Sequence, residues 1–149
     1  MLSAIFSFLH FAAVFGIVGT LVVEWVTLNE SLTWREARTL QLCDPWYGIS
    51  ATVLLSVGFM RVLFFEKGSA FYFSNPFFHA KLGLFLLVGV VSIYPTIRFI
   101  KWRPQMSKGQ APVVPQAEFR AIRTALRVEM VLLFGIVLCA AFMARGITL

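Results

Sequence analysis

Charged residues are scarce in this chain of 149 residues. Asp, Glu, Lys and Arg make up only 13% of it, whereas 59% of its residues are hydrophobic. A soluble domain of this length needs about 25% charged residues to cover its surface. The composition therefore excludes an ordinary soluble protein and indicates an integral membrane protein.

The motifs of many soluble enzymes are also missing. The chain has no P-loop, no dinucleotide-binding glycine pattern, and no HExxH, GxSxG, CxxC or CxxCH sequence. Covalent attachment of a c-type haem therefore has no support. The two cysteines, Cys43 and Cys139, are expected at different membrane depths and should not form a disulfide.

Four stretches reach the roughly 20 apolar residues that a helix needs to cross a bilayer. They are residues 3–28, 46–65, 77–100 and 126–143. These stretches predict an all-α four-transmembrane-helix bundle that forms a single domain, residues 1–149. Thr33 and Glu36 make a capping-box pattern, which predicts a short surface helix between spans one and two. Asp44 and Pro45 are then expected to begin span two, as Asn75 and Pro76 begin span three.

The basic residues are distributed unevenly about the four spans. Nine of the thirteen flank the two connections on one side, at positions 35, 38, 98, 101, 103, 108, 120, 123 and 127. The positive-inside rule makes that side cytoplasmic and both termini extracytoplasmic. The net charge of +6 thus needs no nucleic-acid partner. Arg120, Arg123 and Arg127 share one helix face and are expected to contact lipid headgroups.

Two carboxylates are predicted within the membrane, near the cytoplasmic side. Glu24 lies 14 residues after His10, so both are on the same face of span one. Glu129 lies near the start of span four. Because an unpaired charge in hydrocarbon is costly, we expect both carboxylates to pair with basic groups, Arg98 and Arg127 being nearest in depth.

Two histidines approach the same membrane face from different helices. With a rise of 1.5 Å per residue, His10 lies about 10 Å and His79 about 5 Å from that face. Imidazole is a common axial ligand of haem iron, which predicts a b-type haem held by His10 and His79. Arg61 and Lys81 would then meet its propionates. Separate hydrogen bonding of each histidine within the bundle is the alternative.

Lys81 lies on the opposite side of its helix from His79. If His79 is a haem ligand, its side chain faces the bundle. Lys81 is then expected to extend along the helix toward the polar interface.

Several short segments resemble known families. Across nearly its whole length the chain resembles the bacterial family of unknown function numbered 2214, through Asp44-Pro45-Trp46-Tyr47-Gly48, Arg61, Phe65-Glu66-Lys67-Gly68, His79-Ala80-Lys81-Leu82 and Ser92-Ile93-Tyr94-Pro95-Thr96. The His79-Ala80-Lys81-Leu82 segment, with an earlier histidine in span one, is more distantly similar to HemJ-type protoporphyrinogen oxidases. Those are small membrane proteins that bind b-type haem. The resemblance implies a bacterial inner-membrane location and an oxidoreductase.

Two functions follow from these observations. The first is a haem-binding membrane protein acting in electron transfer or in oxidation of a tetrapyrrole-like substrate. The second is a cofactor-free membrane subunit or small transporter, in which Glu24, Glu129 and the histidines handle protons or ions. Besides the lipid bilayer, the first allows a membrane electron-transfer partner or a quinone, and a homo-oligomer is compatible with both.

The charge distribution yields a direct test of topology. A reporter fused at Leu149 should report an extracytoplasmic C-terminus, because four spans return the chain to the side on which it began. A cytoplasmic signal would mean that a span was miscounted or that the charge rule fails for this chain.

Overall fold

Four long helices make up most of the protein. The computed structural model describes residues 1–65 and 74–145, and its long helices are α1 (Leu2–Thr27), α2 (Trp34–Met60), α3 (Pro76–Lys101) and α4 (Gln116–Ala144). A π-helical segment, Arg61–Phe65, continues α2, and a single helical turn, Arg103–Met106, follows α3. All four helices are long and apolar enough to cross a membrane. The predicted all-helical architecture with four candidate spans is confirmed. The segment Glu66-Lys67-Gly68, which carries part of the family resemblance, lies outside the described residues.

Local capping sets two of the helix starts. The Thr33 side chain accepts a hydrogen bond from the Glu36 amide, while Glu36 Oε2 accepts one from the Thr33 amide at 2.8 Å. Asn75 Oδ1 accepts a hydrogen bond from the Phe77 amide at 2.9 Å, and Pro76 is the first residue of α3. Both starts match the sequence prediction, because capping depends on residues within one turn.

The predicted short surface helix is not evident as a separate element. Residues 34–60 form one continuous helix that passes through Pro45. Packing explains the difference, since Leu40 is fully buried and Gln41 Nε2 donates a hydrogen bond to the Phe99 carbonyl at 2.7 Å. Asp44 does not cap a helix and instead accepts a hydrogen bond from Thr96 Oγ1 at 2.5 Å. These contacts stabilise the helix despite the amide that proline lacks.

The four helices are arranged as two hairpins. Helix α1 packs mainly against α2, and α3 mainly against α4. Gly16 permits the close approach of α1 to α2, because a Cβ atom at that position would collide with the Ser50 hydroxyl. Small residues at helix interfaces allow such approach in lipid, where dispersion rather than the hydrophobic effect drives packing.

Hydrogen bonds join the two hairpins at the end of the bundle that contains Trp34 and the α3–α4 connection, here called the Trp34 end. Trp34 Nε1 donates to the Met106 carbonyl at 3.0 Å, and the Gln41 and Asp44 contacts with α3 lie at the same end. These direct hydrogen bonds position one hairpin on the other at the Trp34 end. The opposite end, where α1 and α3 begin, is called the His10 end.

Arg123 is part of this junction and was wrongly predicted to contact lipid headgroups. Its Nη1 atom donates hydrogen bonds to the carbonyls of Trp25 and Leu28, at 3.1 and 2.9 Å. The guanidinium also lies over the Trp25 ring, 4.0 Å from its centroid. These carbonyls are at the C-terminal end of α1, where backbone acceptors lack helical partners and a cation is favourable. Arg120 and Arg127, on the same helix, are exposed.

Replacement of Arg123 by methionine should destabilise the protein by about 2 kcal/mol, the scale of a hydrogen bond to a charged group. The matched control is Arg120→Met, which removes the same charge from an exposed position of the same helix and should have little effect. Thermal unfolding of both variants in detergent would measure the difference. Equal melting temperatures would contradict the bridging role of Arg123.

Candidate functional site

The helices orient their side chains in stripes that face the bundle interior. On α1 the buried residues Ala13, Ile17, Leu21 and Glu24 follow the helical repeat, and His10 continues this stripe toward the end of the helix. The sequence-based prediction that His10 and Glu24 share a face is therefore confirmed. The histidine lies toward one end of the bundle and the carboxylate toward the other.

A cavity of about 630 Å³ lies between all four helices at the His10 end. Its walls are mainly apolar, and we call it the His10 cavity. Representative wall residues are Leu54 on α2, Phe78 and Phe85 on α3, and Ile136 on α4. A cavity of this size and composition is typical of sites for small molecules and cofactors.

Among the described residues, three polar side chains line the His10 cavity: His10, Arg61 and Lys81. The His10 ring packs near the backbone of α2 at Gly58, where a Cβ atom would lie 3.8 Å from His10 Cε1. Arg61 is the first residue of the π-helical segment. Such segments are rare and occur often at functional sites. The cavity thus combines one imidazole with two cationic side chains.

His79 lies elsewhere. It is exposed on the surface of α3, with its ring 5.7 Å from that of Phe78, and is not among the residues that line the His10 cavity. Lys81 faces the cavity instead, because it belongs to the same helical stripe as the buried residues Phe78 and Val88. The structure therefore brings together three of the four predicted site residues, and it does not bring His79 to His10.

A second polar region occupies the Trp34 end. Glu24 on α1 and Glu129 on α4 are 3% and 1% exposed, and the Tyr47 hydroxyl of α2 approaches the Glu129 carboxyl without reaching hydrogen-bond geometry. Tyr47 and Asp44 also line a cavity of about 250 Å³ between α2 and α3, called the Tyr47 cavity. Phe85 lines both this cavity and the His10 cavity.

The predicted pairing of these carboxylates with Arg98 and Arg127 is wrong. Arg98 forms its ion pair with Glu118, at 3.5 Å, and Arg127 lies 5.9 Å from the centroid of the Trp25 ring. Equal depth in the membrane did not suffice, because Arg127 is on the exposed face of α4 and Arg98 is directed toward Glu118.

Sequence reasoning did not identify Tyr47 and Asp44 as members of a polar site. Asp44 was interpreted as a helix cap, and Tyr47 was used only as part of a resemblance. Their position three residues apart on one helix, one turn from the buried Gln41, is the signal that could have indicated a shared inward face.

The geometry limits the chemistry of the two regions. Within the described residues, no three His, Cys, Asp or Glu side chains are close enough to hold a metal ion together. The His10 cavity offers mainly apolar walls with one imidazole and two cationic side chains among the described residues. The Tyr47 region offers carboxyl and hydroxyl groups that can bind protons.

A family model described as "Predicted membrane protein (DUF2214)" matches residues 2–148. No curated protein and no solved structure matches the chain. The more distant resemblance to HemJ-type oxidases is not shown by these comparisons.

Proposed function

This chain belongs to the DUF2214 family of predicted membrane proteins, and from the residues of its His10 cavity we propose that it binds a b-type haem or a similar anionic tetrapyrrole there. The protein would act in electron transfer or in oxidation of a tetrapyrrole-like substrate. The supporting observation is the combination of one imidazole and two cationic side chains in one apolar cavity.

The residues of the cavity fit such a ligand in size and in chemistry. Its volume of about 630 Å³ is within the range of about 300–1,000 Å³ typical of ligand pockets. His10 would supply an imidazole nitrogen to the iron, and the mainly apolar walls would contact the macrocycle. Arg61 and Lys81 would bind the carboxylates of the ligand through charge-assisted hydrogen bonds. Bound haem iron supplies one-electron chemistry.

The proposal uses His10 as the single imidazole of this cavity. Ligation of the same iron by His79 stays a prediction, and it would require His79 to turn from the exposed side of α3 toward the cavity. Lys81 would then leave the cavity, because it lies on the opposite side of the helix from His79. One axial histidine therefore agrees better with the orientation of α3.

The matched variants His10→Ala and His79→Ala test this assignment. Purified protein in detergent is mixed with haemin, and the Soret band is recorded. The wild type and His79→Ala should form a complex with one haem per chain, whereas His10→Ala should lose most of the affinity. A wild type that binds no haem would contradict the proposal, and equal loss in both variants would favour ligation by two histidines.

Lys81 can be tested through the charge of the ligand. Lys81→Met should weaken haemin binding about tenfold, or ~1.4 kcal/mol, because it removes a cation from the cavity. The dimethyl ester of haemin lacks free carboxylates, so its affinity should be nearly the same for both proteins. If both ligands lose the same affinity, Lys81 contributes packing and not charge.

The alternative function, a cofactor-free subunit or small transporter, is favoured by a different observation. The buried carboxyl groups at the Trp34 end do not line the His10 cavity, and such groups within a membrane are candidates for binding protons or ions.

A further inference from the structure

Three polar side chains from three helices point into the bundle at the Trp34 end. Glu24 and Glu129 are 3% and 1% exposed, and Tyr47 is 6% exposed. One carboxyl oxygen of each glutamate and the Tyr47 hydroxyl are buried without a hydrogen-bond partner among residues 1–65 and 74–145. Buried polar groups are nearly always hydrogen-bonded in native proteins, so these three atoms need an explanation.

Among residues 1–65 and 74–145, the groups around the two glutamates do not neutralise them. Glu24 faces Asp44 and Glu129, both of which can carry negative charge, and the Cys43 thiol. Asp44 has partners of its own, since Thr96 donates a hydrogen bond to it and Arg103 attracts it electrostatically. Within the described part of the chain, the arginines nearest in depth make other contacts, as Arg98 with Glu118 shows.

An ionised carboxylate in this position would be strongly unfavourable. Burial of an unpaired charge costs several kcal/mol, and the repulsion between neighbouring carboxylates adds to that cost. Binding of a proton removes the charge and also provides a hydrogen-bond donor. The Tyr47 hydroxyl, which approaches Glu129, can donate to or accept from that group.

The Tyr47 cavity leads to this group of side chains. It has a volume of about 250 Å³ and is lined by Tyr47 and Asp44 together with Ser92 and Thr96 on α3. A water molecule occupies about 30 Å³ in the liquid, so several could fit. The hydroxyl and carboxyl groups on its wall provide the hydrogen-bond partners that water requires.

We infer that Glu24, Tyr47 and Glu129 form a proton-binding site inside the bundle, and that the Tyr47 cavity is the route by which protons reach it. Tyr47 connects the two parts, because this residue lines the cavity and its hydroxyl approaches Glu129. This site is separate from the His10 cavity and does not depend on haem binding.

Infrared spectroscopy of the purified full-length protein, without added haem, tests the inference. At neutral pH an exposed glutamate is ionised, whereas the proposed site should show the carbonyl stretch of a protonated carboxyl group. Glu24→Gln and Glu129→Gln should each remove the intensity of one carboxyl, and the double variant should abolish the band. The matched control is Glu30→Gln, at an exposed position, which should leave the band unchanged.

Tyr47→Phe retains the aromatic packing and removes only the hydroxyl. It should shift the position of the band, since Glu129 loses its neighbouring hydroxyl group. A wild-type spectrum without the band would overturn the inference even if the glutamine variants failed to fold. The inference would also fail if neither single glutamine variant lowered the band, or if Tyr47→Phe left its position unchanged.

The role of the cavity can be tested by the rate of deuterium exchange of the same band. Gly48 lines the Tyr47 cavity, and a Cβ atom added there would meet no atom within 4 Å outside its own stretch of helix. Gly48→Leu should therefore fill the cavity and slow the exchange severalfold. Gly19→Leu, at another open glycine on α1, is the control and should exchange like the wild type. An unchanged rate in Gly48→Leu would exclude the cavity as the route.

Discussion

The two hairpins are joined by hydrogen bonds at the Trp34 end, and this junction fixes how their inner faces meet. Each hairpin packs within itself, and Arg123 connects them through two carbonyls of α1 and the face of Trp25. Because the last carbonyls of a helix have no backbone donors, a guanidinium placed there satisfies them at low cost. The hairpins are thereby held together at one end, and a cavity lies between them at the other.

The rotation of α3 decides which of its polar residues can have a chemical role. A helix in lipid is apolar on both faces, so hydropathy alone does not distinguish the face that packs. Here the packed face runs through Phe78, Val88, Pro95 and Phe99. Lys81 lies on that face and His79 lies opposite. The sequence favoured His79 as a haem ligand, yet Lys81 is the residue of this pair that lines the His10 cavity.

The bundle separates its polar groups into two regions of opposite character. The cationic residues Arg61 and Lys81 line the His10 cavity, whereas the carboxyl groups of Glu24 and Glu129 are buried at the Trp34 end. Phe85 lies between them, since it lines both cavities. Charged groups within a membrane are costly and are retained where they act on a ligand or ion. Two such regions in one small bundle are consistent with a protein that combines binding of an apolar anion with binding of protons.

Sequence patterns alone predicted the four long apolar helices and the helix starts at Thr33 and Asn75, but not the extent of α2. Apolar runs of this length have few alternatives to a helix in lipid, and capping depends only on neighbouring residues. The sequence also predicted that Arg61 and Lys81 share a site with His10. Only the tertiary structure decided the course of α2 through Pro45, the contact of Arg123 with α1 and the grouping of Tyr47 with Glu24 and Glu129. Each of these depends on which faces of different helices meet, and that is decided by packing between residues far apart in the chain.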